Sequence, residues 1–303
     1  MVEQILKSYL EYVCGRENVA ENVPLAAKTT FKIGGPARFF VTVPTKETLM
    51  RLVSTLKYID QPYVLIGAGA NILAADAGYD GVVLRLGFAE IADNGCFVYA
   101  DAGAPLKKLC VFAREHALSG LEFAAGIPGT VGGAVFMNAG AEGGAMSDVV
   151  AMADVLADGE IRSLDARELG FKYRSSIFQN KNRRNWIILG AYFFLKSGKT
   201  PDEIAATEAM FLSARRETQP MQPSAGSVFK RRSPDIAVSK IIDELGLKGT
   251  QIGGARISDK HAGFIVNTGG ATAANVLALV KLIRMEVRKK HNINLKTEIQ
   301  IIK

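Results

Sequence analysis

The chain has 303 residues, of which 48% are hydrophobic and 22% charged, and its formal net charge is +7. This length fits two or three packed domains, and the abundance of apolar residues excludes a globally disordered chain. Three cysteines without a Cys-x-x-Cys pair exclude a disulfide scaffold and favour a reducing compartment. Because the chain has three histidines, a His-rich metal site is not expected, and we predict no metal cofactor.

The first part of the chain alternates predicted helices with short strands. The run over 1–13 mixes charged with apolar residues, which indicates an amphipathic helix rather than a signal peptide. Thr45 is the predicted cap of a helix over 46–58, and Pro105 opens a predicted helix over 105–117. The apolar runs that predict strands are 63–66, 82–86 and 97–101.

The stretch from Phe123 to Ala141 contains no charged residue and is long enough to suggest a membrane-spanning helix. However, it contains five glycines and a proline, a density that makes a poor helix. We therefore reject a transmembrane helix here.

The second part of the chain begins with predicted strands over 149–157 and 186–195, which flank a basic, aromatic loop. The Ser-Gly-Lys-Thr-Pro sequence at 197–201 predicts a domain boundary, because it precedes a new helical pattern. The later predicted elements are a helix over 202–216, a loop over 219–227, a helix over 235–245, a Gly-rich strand and loop region, a helix over 272–290 and a strand over 295–302. Together these patterns predict an α+β or mixed α/β protein with two main parts.

Charge is unevenly distributed along the chain. Residues 1–150 hold 12 Lys and Arg against 15 Asp and Glu, a net charge of −3, whereas residues 151–303 hold 25 against 15, a net charge of +10. A basic second half favours an anionic partner, which leaves nucleic acid, an acidic membrane or a phosphorylated or carboxylated small molecule. The alternative is a solvated surface without such a partner.

Glycine is also unevenly distributed, since fifteen of the thirty glycines lie between 67 and 144. The loop GAGAN at 67–71 follows a predicted strand, and its small residues would let backbone N–H groups surround a phosphate. Ile72 stands where the dinucleotide-binding fingerprint needs a third glycine, and no convincing helix follows. An ordinary turn at the end of the strand is the alternative.

A second Gly-rich run, AGIPGTVGGA at 125–134, lies in an apolar setting. Dense glycine there indicates that the backbone passes close to something flat or bulky. A planar cofactor with a pyrophosphate would contact both Gly-rich segments, and a tight chain crossing in the core is the alternative.

Three polar residues are candidates for chemistry, and each has an ordinary alternative. Arg174 could hold a carboxylate with paired hydrogen bonds, or belong to an exposed basic loop. Ser227 could donate a proton, or be a linker hydroxyl, and no histidine nearby supports a Ser–His hydrolase. Glu298 alternates with apolar residues, which predicts that it faces solvent. The histidines, including His261, and the cysteines are interpreted as structural.

In their order and spacing these segments resemble the UDP-N-acetylenolpyruvoylglucosamine reductase family from about Thr29 to the C-terminus. The segments that carry the resemblance are TTFKIGGPA at 29–37, GAGAN at 67–71, AGIPGTVGGAVFMNAGA at 125–141, Tyr173-Arg174, SAGSVFK at 224–230, IGGA at 252–255 and LKTEI at 295–299. The chain is similar to the shorter of the family's two types, which lacks an inserted tyrosine-bearing loop.

The resemblance implies an α+β protein with a two-lobed FAD-binding domain of the vanillyl-alcohol-oxidase (PCMH) type and a smaller α+β substrate-binding domain. The expected boundaries are an N-terminal helical segment over 1–28, the FAD-binding domain over 29–198, split near 95, and the C-terminal domain over 199–303. It also implies a cytoplasmic, monomeric flavoenzyme with non-covalent FAD and no nucleic-acid or membrane partner. With NADPH as co-substrate, the enzyme would reduce UDP-N-acetylenolpyruvoylglucosamine to UDP-N-acetylmuramate in peptidoglycan precursor synthesis.

The resemblance places three residues at the family's catalytic positions. Arg174 would stabilise negative charge that develops on the substrate, Ser227 would protonate C2, and Glu298 would assist the enolic form. The positions implied for cofactor binding are Gly67, Ala68, Gly69, Ala70, Asn71, Ile72, Gly126, Ile127, Pro128, Gly129, Gly132, Gly133 and Asn138. Those implied for substrate binding are Tyr173, Arg215 and Lys230.

Two positions depart from the family pattern. Ala70 stands where the family commonly has serine, and Glu142 stands where it often has tyrosine. Two alternative functions also stay open. One is another FAD-dependent oxidoreductase of the same superfamily that acts on an alcohol or sugar, and the other is a basic nucleotide-binding module.

Overall fold

The computed structural model describes residues 2–183, 185–231 and 237–303. The helices in these residues are α1 (Val2–Cys14), α2 (Lys46–Tyr58), α3 (Leu106–Glu115), α4 (Val131–Met137), α5 (Pro201–Thr218), α6 (Val238–Glu244) and α7 (Ala273–His291). The strands are β1 (Val19–Pro24), β2 (Pro36–Val43), β3 (Tyr63–Leu65), β4 (Ile72–Ala74), β5 (Tyr79–Leu86), β6 (Ile91–Asn94), β7 (Phe97–Asp101), β8 (Gly140–Ala141), β9 (Gly144–Ala145), β10 (Val150–Ala157), β11 (Glu160–Asp165), β12 (Ile187–Phe194), β13 (Ser224–Ser227), β14 (Gln251–Ile252), β15 (Ala255–Ile257), β16 (Phe264–Asn267) and β17 (Gln300–Ile302).

Local signals account for several elements that form where the sequence predicts them. Thr45 caps α2, since its hydroxyl accepts a hydrogen bond of 3.1 Å from the backbone N–H of Thr48. Thr272 caps α7 in the same way and forms a capping box with Asn275. Strand β7 has the predicted bounds, and α1 covers the predicted amphipathic run.

The described chain packs into two compact units. The first contains the residues up to Ala20 together with Phe40–Ala68 and Val82–Arg215. Its largest sheet has the strand order β11-β10-β12-β7-β6, and every neighbouring pair is antiparallel. Strand β12 is buried over most of its length, as its apolar sequence predicts, and α4 packs against it.

The second unit contains Glu21–Phe39, Gly69–Gly81 and Arg216–Lys303. Its antiparallel sheet has the order β13-β16-β15-β14, and α6 and α7 contribute to the core beside it. Strand β17 pairs with β4 in parallel, with Gln300 opposite Ile72. The unit therefore combines segments that are far apart in sequence, and the predicted boundaries at 28 and 198 stay predictions.

Several expectations about local structure were wrong or incomplete. The Gly-rich stretch over 123–141 contains a short helix, α4, and the predicted loop over 219–227 contains strand β13. The sequence predictions omitted strand β11 altogether, although it pairs with β10 along its whole length. The last predicted strand shrinks to three residues in β17. The predicted helix over 235–245 is α6, which begins at Val238 and ends at Glu244, and residues 235 and 236 lie outside the described part of the chain.

None of the helices in the described part of the chain combines the length and apolar character that a membrane-spanning helix needs. The three cysteines are free thiols, with Cys14 and Cys110 buried and Cys96 half-buried, as predicted for small packing residues. Burial raises the pKa of Cys14 to about 11 and is the main cause that raises that of Cys110 to about 12. Neither buried thiol is therefore suited to act as a nucleophile at neutral pH.

Candidate active site

The GAGAN loop at 67–71 connects β3 to β4, so a strand rather than a helix follows it. This confirms that the loop is not a dinucleotide-binding fingerprint. No described residue accepts a hydrogen bond from the backbone N–H groups of this loop. Gly69 has φ +67°, and a Cβ there would lie 2.3 Å from the carbonyl oxygen of Lys28, so only glycine fits.

The second Gly-rich run begins α4, and the structure explains why one of its residues, Gly132, is glycine. Thr130 caps the helix by accepting a hydrogen bond of 3.3 Å from the N–H of Gly133. A Cβ on Gly132 would lie 2.8 Å from the Cβ of Ala102, so this glycine permits a tight chain crossing. A Cβ on Gly129 would contact nothing within 4 Å, so open space adjoins the run at that point.

The two Gly-rich segments meet inside the first unit. A Cβ on Gly67 would lie 2.5 Å from Thr130 Oγ1, so the loop after β3 abuts the start of α4. In the described residues, the N–H groups of Gly67, Ala68, Gly129 and Thr130 all lack an acceptor. Backbone N–H groups without an internal acceptor are the donors that anion-binding loops use, so these four groups are candidates for binding a pyrophosphate.

Arg174 is half-buried and lies in the segment between β11 and β12, at a position with a strained backbone. It is a central residue of a turn that two backbone hydrogen bonds between Lys172 and Ser175 close, and its φ is +50°. Its guanidinium donates hydrogen bonds to the carbonyl oxygens of Gly140 and Asn138. The cation also lies 5.2 Å from the ring centroid of its neighbour in sequence, Tyr173.

Asn138, a predicted cofactor-binding residue, is buried and positions the same loop. Its Nδ2 donates to the carbonyl oxygen of Lys172 at 3.1 Å, and its Oδ1 accepts from the N–H of Ser147 at 2.9 Å. Its φ is +42°, where asparagine is among the tolerated residues. A contact with the cofactor stays a prediction.

Arg215 lies against the Gly-rich run, since a Cβ on Gly126 would be 3.0 Å from Arg215 Cδ. Burial lowers the pKa of Arg215, and the charge of Glu142 opposes this effect. Glu142 is thus an electrostatic partner of a predicted substrate-binding residue, at a position where the family often has tyrosine.

In the second unit, Ser227 and Glu298 lie on neighbouring backbone segments. The N–H of Glu298 donates to the carbonyl oxygen of Val228 at 2.8 Å, and the N–H of Lys230 donates to that of Lys296 at 3.0 Å. The structure therefore brings two of the predicted catalytic residues and the predicted substrate-binding Lys230 into one small region.

Glu298 is half-buried, so the alternation that predicts a solvent-facing residue was wrong in this segment. The predicted alternation also fails at Ile301, which is 46% exposed, whereas Ile302 is buried. Asn71, at the end of GAGAN, donates from Nδ2 to the carbonyl oxygen of Glu298 at 3.2 Å. A residue predicted to bind cofactor thus positions the segment that carries Glu298.

Comparisons with known proteins agree over nearly the whole chain. Residues 37–165 match the family described as FAD binding domain, and residues 219–302 match the one described as UDP-N-acetylenolpyruvoylglucosamine reductase, C-terminal domain. The UDP-N-acetylenolpyruvoylglucosamine reductase of Pseudothermotoga lettingae is 45% identical over 279 residues, covering 92% of this chain and 95% of that protein. The chain belongs to the UDP-N-acetylenolpyruvoylglucosamine reductase family.

Further relatives support the same assignment. UDP-N-acetylenolpyruvoylglucosamine reductase 1 of Bacillus cereus is 42% identical over 307 residues, covering 99% of each chain. The crystal structure of the reductase from Thermus caldophilus superposes with a TM-score of 0.79 at 36% identity, covering 93% of this chain and 98% of that one.

Membership of the reductase family confirms the predicted α+β fold class, with a PCMH-type FAD-binding domain followed by a C-terminal domain of this family. The chain is a flavoprotein, an FAD-dependent oxidoreductase. The unpaired N–H groups of Gly67 and Gly129 and the open space beside Gly129 fit this cofactor.

Several residues that shape the reductase site were missed at the level of sequence. Thr130 directly precedes α4, and a threonine before a helical run is a recognisable capping signal. Ser176 and Gln179, which contact the carbonyl oxygen of Phe136, carry no such signal. Their role depends on a contact across about forty residues, which local patterns do not reveal.

Proposed function

We propose that this enzyme reduces the enolpyruvyl ether of UDP-N-acetylenolpyruvoylglucosamine to UDP-N-acetylmuramate, a peptidoglycan precursor, with NADPH as the reductant. The observation that carries the proposal is family similarity along both the FAD-binding part and the C-terminal part of one chain. Bound FAD would supply the hydride-transfer chemistry between NADPH and C3 of the substrate, while the residues of the chain bind, orient and protonate the substrate.

The N–H groups of Gly67, Ala68, Gly129 and Thr130 hold the cofactor's pyrophosphate without a covalent link. Backbone donors suffice for this task, so Ala70 need not supply the hydroxyl that is common in the family. The remaining residues proposed for cofactor binding extend the same two segments. Because the donors belong to the backbone, the site tolerates side-chain changes there only if they leave the space near Gly129 open.

Arg174 stabilises the negative charge that develops at C2 and on the substrate carboxylate. Its guanidinium is permanently charged, and the carbonyl groups of Gly140 and Asn138 hold it in one place before substrate arrives. Because the cation is already oriented, little free energy is spent on reorienting it when negative charge develops on the substrate. It therefore lowers the barrier for reduction.

Ser227 donates its hydroxyl proton to C2, and Glu298 assists the enolic form. A serine hydroxyl is a weak acid, so this step requires the strongly basic, carbanion-like C2 that hydride addition creates. The backbone hydrogen bond between Glu298 and Val228 keeps the two side chains on adjoining segments.

The basic residues Arg215 and Lys230, together with Tyr173, bind the diphosphate or carboxylate of the UDP-sugar. We further propose a cytoplasmic, monomeric enzyme without a nucleic-acid or membrane partner. Unpaired cysteines suit a reducing compartment, and the positive charge of residues 151–303 suits an anionic small substrate.

Anaerobic stopped-flow measurement of the two half-reactions tests the proposal. Ser227→Ala should leave bleaching of the flavin by NADPH nearly intact and slow reoxidation by the enolpyruvyl substrate by orders of magnitude. Ser224→Ala, in the same strand, is the matched control and should behave like the unmodified enzyme. Equal losses in both half-reactions, or a protein that takes up no FAD on reconstitution, would contradict the proposal.

A further inference from the structure

The loop that carries Arg174 is attached to the end of α4 by two side chains. The hydroxyl of Ser176 donates to the carbonyl oxygen of Phe136 at 2.6 Å, and Nε2 of Gln179 donates to the same oxygen at 3.1 Å. Phe136 lies in the last turn of α4, where carbonyl groups lack partners within the helix. The loop thus provides hydrogen-bond donors to a carbonyl oxygen at the end of α4 that has no partner within the helix.

Gln179 makes a second contact that reaches Arg174 itself. Its Nε2 donates to the carbonyl oxygen of Arg174 at 3.2 Å. One amide group therefore joins the backbone of Arg174 to the backbone of α4 at Phe136. The start of the same helix bears Thr130 and the Gly-rich run proposed to hold the cofactor.

The backbone at Arg174 needs such support because its conformation is unfavourable. With φ at +50°, an arginine occupies a turn position that usually requires glycine or asparagine. Positions of this kind persist only where the surroundings hold them. Rotation of this backbone would move the guanidinium away from the carbonyl groups of Asn138 and Gly140.

We propose that Gln179 is a positioning residue that holds Arg174 in the orientation needed for reduction of the substrate. The inference rests on the proposed role of Arg174, and it assigns Gln179 a part in the substrate half-reaction only. Gln179 contacts Arg174 through the backbone, so it acts on the geometry of the cation and not on its charge.

The chemistry of the acceptors makes the amide specific. Nε2 donates to the two carbonyl oxygens of Phe136 and Arg174 and lies 3.5 Å from Sδ of Met137, a weak acceptor, so every partner of this group requires a donor. Gln179→Glu has nearly the same shape but presents a carboxylate to two oxygens and should be the most damaging change. Gln179→Met removes the donors without adding charge, whereas Gln179→Lys restores donors and should rescue the enzyme.

Rates of the two half-reactions test this assignment in the FAD-loaded, full-length enzyme. Gln179→Met should slow flavin reoxidation by substrate by about ten-fold or more, as a misplaced charged group would, with flavin reduction by NADPH and FAD content unchanged. Gln179→Glu should be slower still, and Gln179→Lys should lie within about three-fold of the unmodified enzyme. Asn180→Asp is the control for an amide-to-acid change at an exposed neighbouring residue, and it should leave both rates unchanged.

A double-mutant cycle separates this inference from the proposed function. If Gln179 acts through Arg174, Gln179→Met should have little further effect on substrate reduction in an Arg174→Met background. Additive effects, or normal substrate reduction in Gln179→Met beside a slow Arg174→Met, would overturn the role of Gln179 alone. Normal substrate reduction in Arg174→Met would instead overturn the proposed role of Arg174. Equal slowing of both half-reactions in Gln179→Met would show a general structural role and would also overturn the inference.

Discussion

Lys46 and Asp101 form an ion pair in the first unit, with 2.8 Å between Nζ and Oδ1, at a point where the Asp101 side chain is only 4% exposed. Asp101 Oδ1 also accepts from the hydroxyl of Tyr99, and its Oδ2 accepts from the N–H of Glu90, each at 2.8 Å. A Cβ on Gly190 would lie 2.1 Å from the Tyr99 hydroxyl, so glycine makes room for this cluster. Both oxygens of the carboxylate thus accept from donors, and one of these donors carries a positive charge, which is the condition for burying a carboxylate.

Loss of the cation from this cluster should destabilise the protein. Lys46→Met leaves the Asp101 carboxylate buried without its charged partner, so we expect the free energy of unfolding to fall by about 3 kcal/mol. Urea unfolding of the apoprotein measures this loss. Lys57→Met, at an exposed position of the same helix α2, should change the free energy of unfolding by less than about 0.5 kcal/mol. Similar effects of the two variants would contradict the prediction.

The buried thiol of Cys110 should make the protein sensitive to alkali. Its pKa rises from 9.0 to about 12, mainly through burial, so the folded state keeps its proton where the unfolded state loses it. The contribution of the protonated thiol to the free energy of unfolding is fully present below about pH 9. It is lost as the pH rises toward 12, by no more than about 1.4 kcal/mol per pH unit.

Urea unfolding at several pH values between 8 and 11 checks whether the free energy of unfolding falls at alkaline pH. This range extends to both sides of about pH 9, where the free thiol titrates. Cys110→Ala should show a shallower alkaline loss than the unmodified protein, even though its stability at neutral pH is lower. Cys96→Ala removes a half-buried thiol and serves as the control. A parallel pH dependence for Cys110→Ala and the unmodified protein would refute the assignment.

How much of this structure follows from sequence depends on the range of the interactions. The helix capped by Thr45 and the strand ending at Asp101 are predictable, because a cap and an apolar run act within a few residues. Strand β13 is not predictable in this way, since it depends on pairing with β16, some forty residues later in the chain.

In the candidate site, too, some features are predictable from the local sequence and others are not. The Gly-rich segments indicate close approach to a ligand by their composition alone. Arg174, Ser227 and Glu298 have ordinary interpretations one at a time, and only the resemblance to a family joins them. The hydrogen bond from Asn71 to the carbonyl oxygen of Glu298 also escaped prediction, because the two residues lie 227 positions apart in the chain.

Two glycines of the cofactor segment should respond differently to alanine. Gly132→Ala places a Cβ 2.8 Å from that of Ala102, so we expect overpacking to lower the free energy of unfolding of the apoprotein by about 1–3 kcal/mol. Gly129→Ala meets no atom within 4 Å, so stability should be retained while the dissociation constant for FAD rises. Calorimetric titration of FAD and urea unfolding separate the two effects. The same loss of apoprotein stability in both variants would contradict this distinction.

The carboxylate of Asp76 caps helix α7 within the second unit. Its two oxygens accept hydrogen bonds of 2.6 Å from the N–H of Ala273 and 2.9 Å from that of Ala274, and a negative charge is favourable at this end of a helix. Asp76→Ala should therefore lower the free energy of unfolding by about 1–2 kcal/mol, because two N–H groups lose their acceptor. Asp80→Ala is the matched control, since that carboxylate is 81% exposed and pairs with Arg38 at the surface. Its removal should cost less than about 1 kcal/mol, and a larger loss for Asp80→Ala than for Asp76→Ala in urea unfolding would refute the capping role.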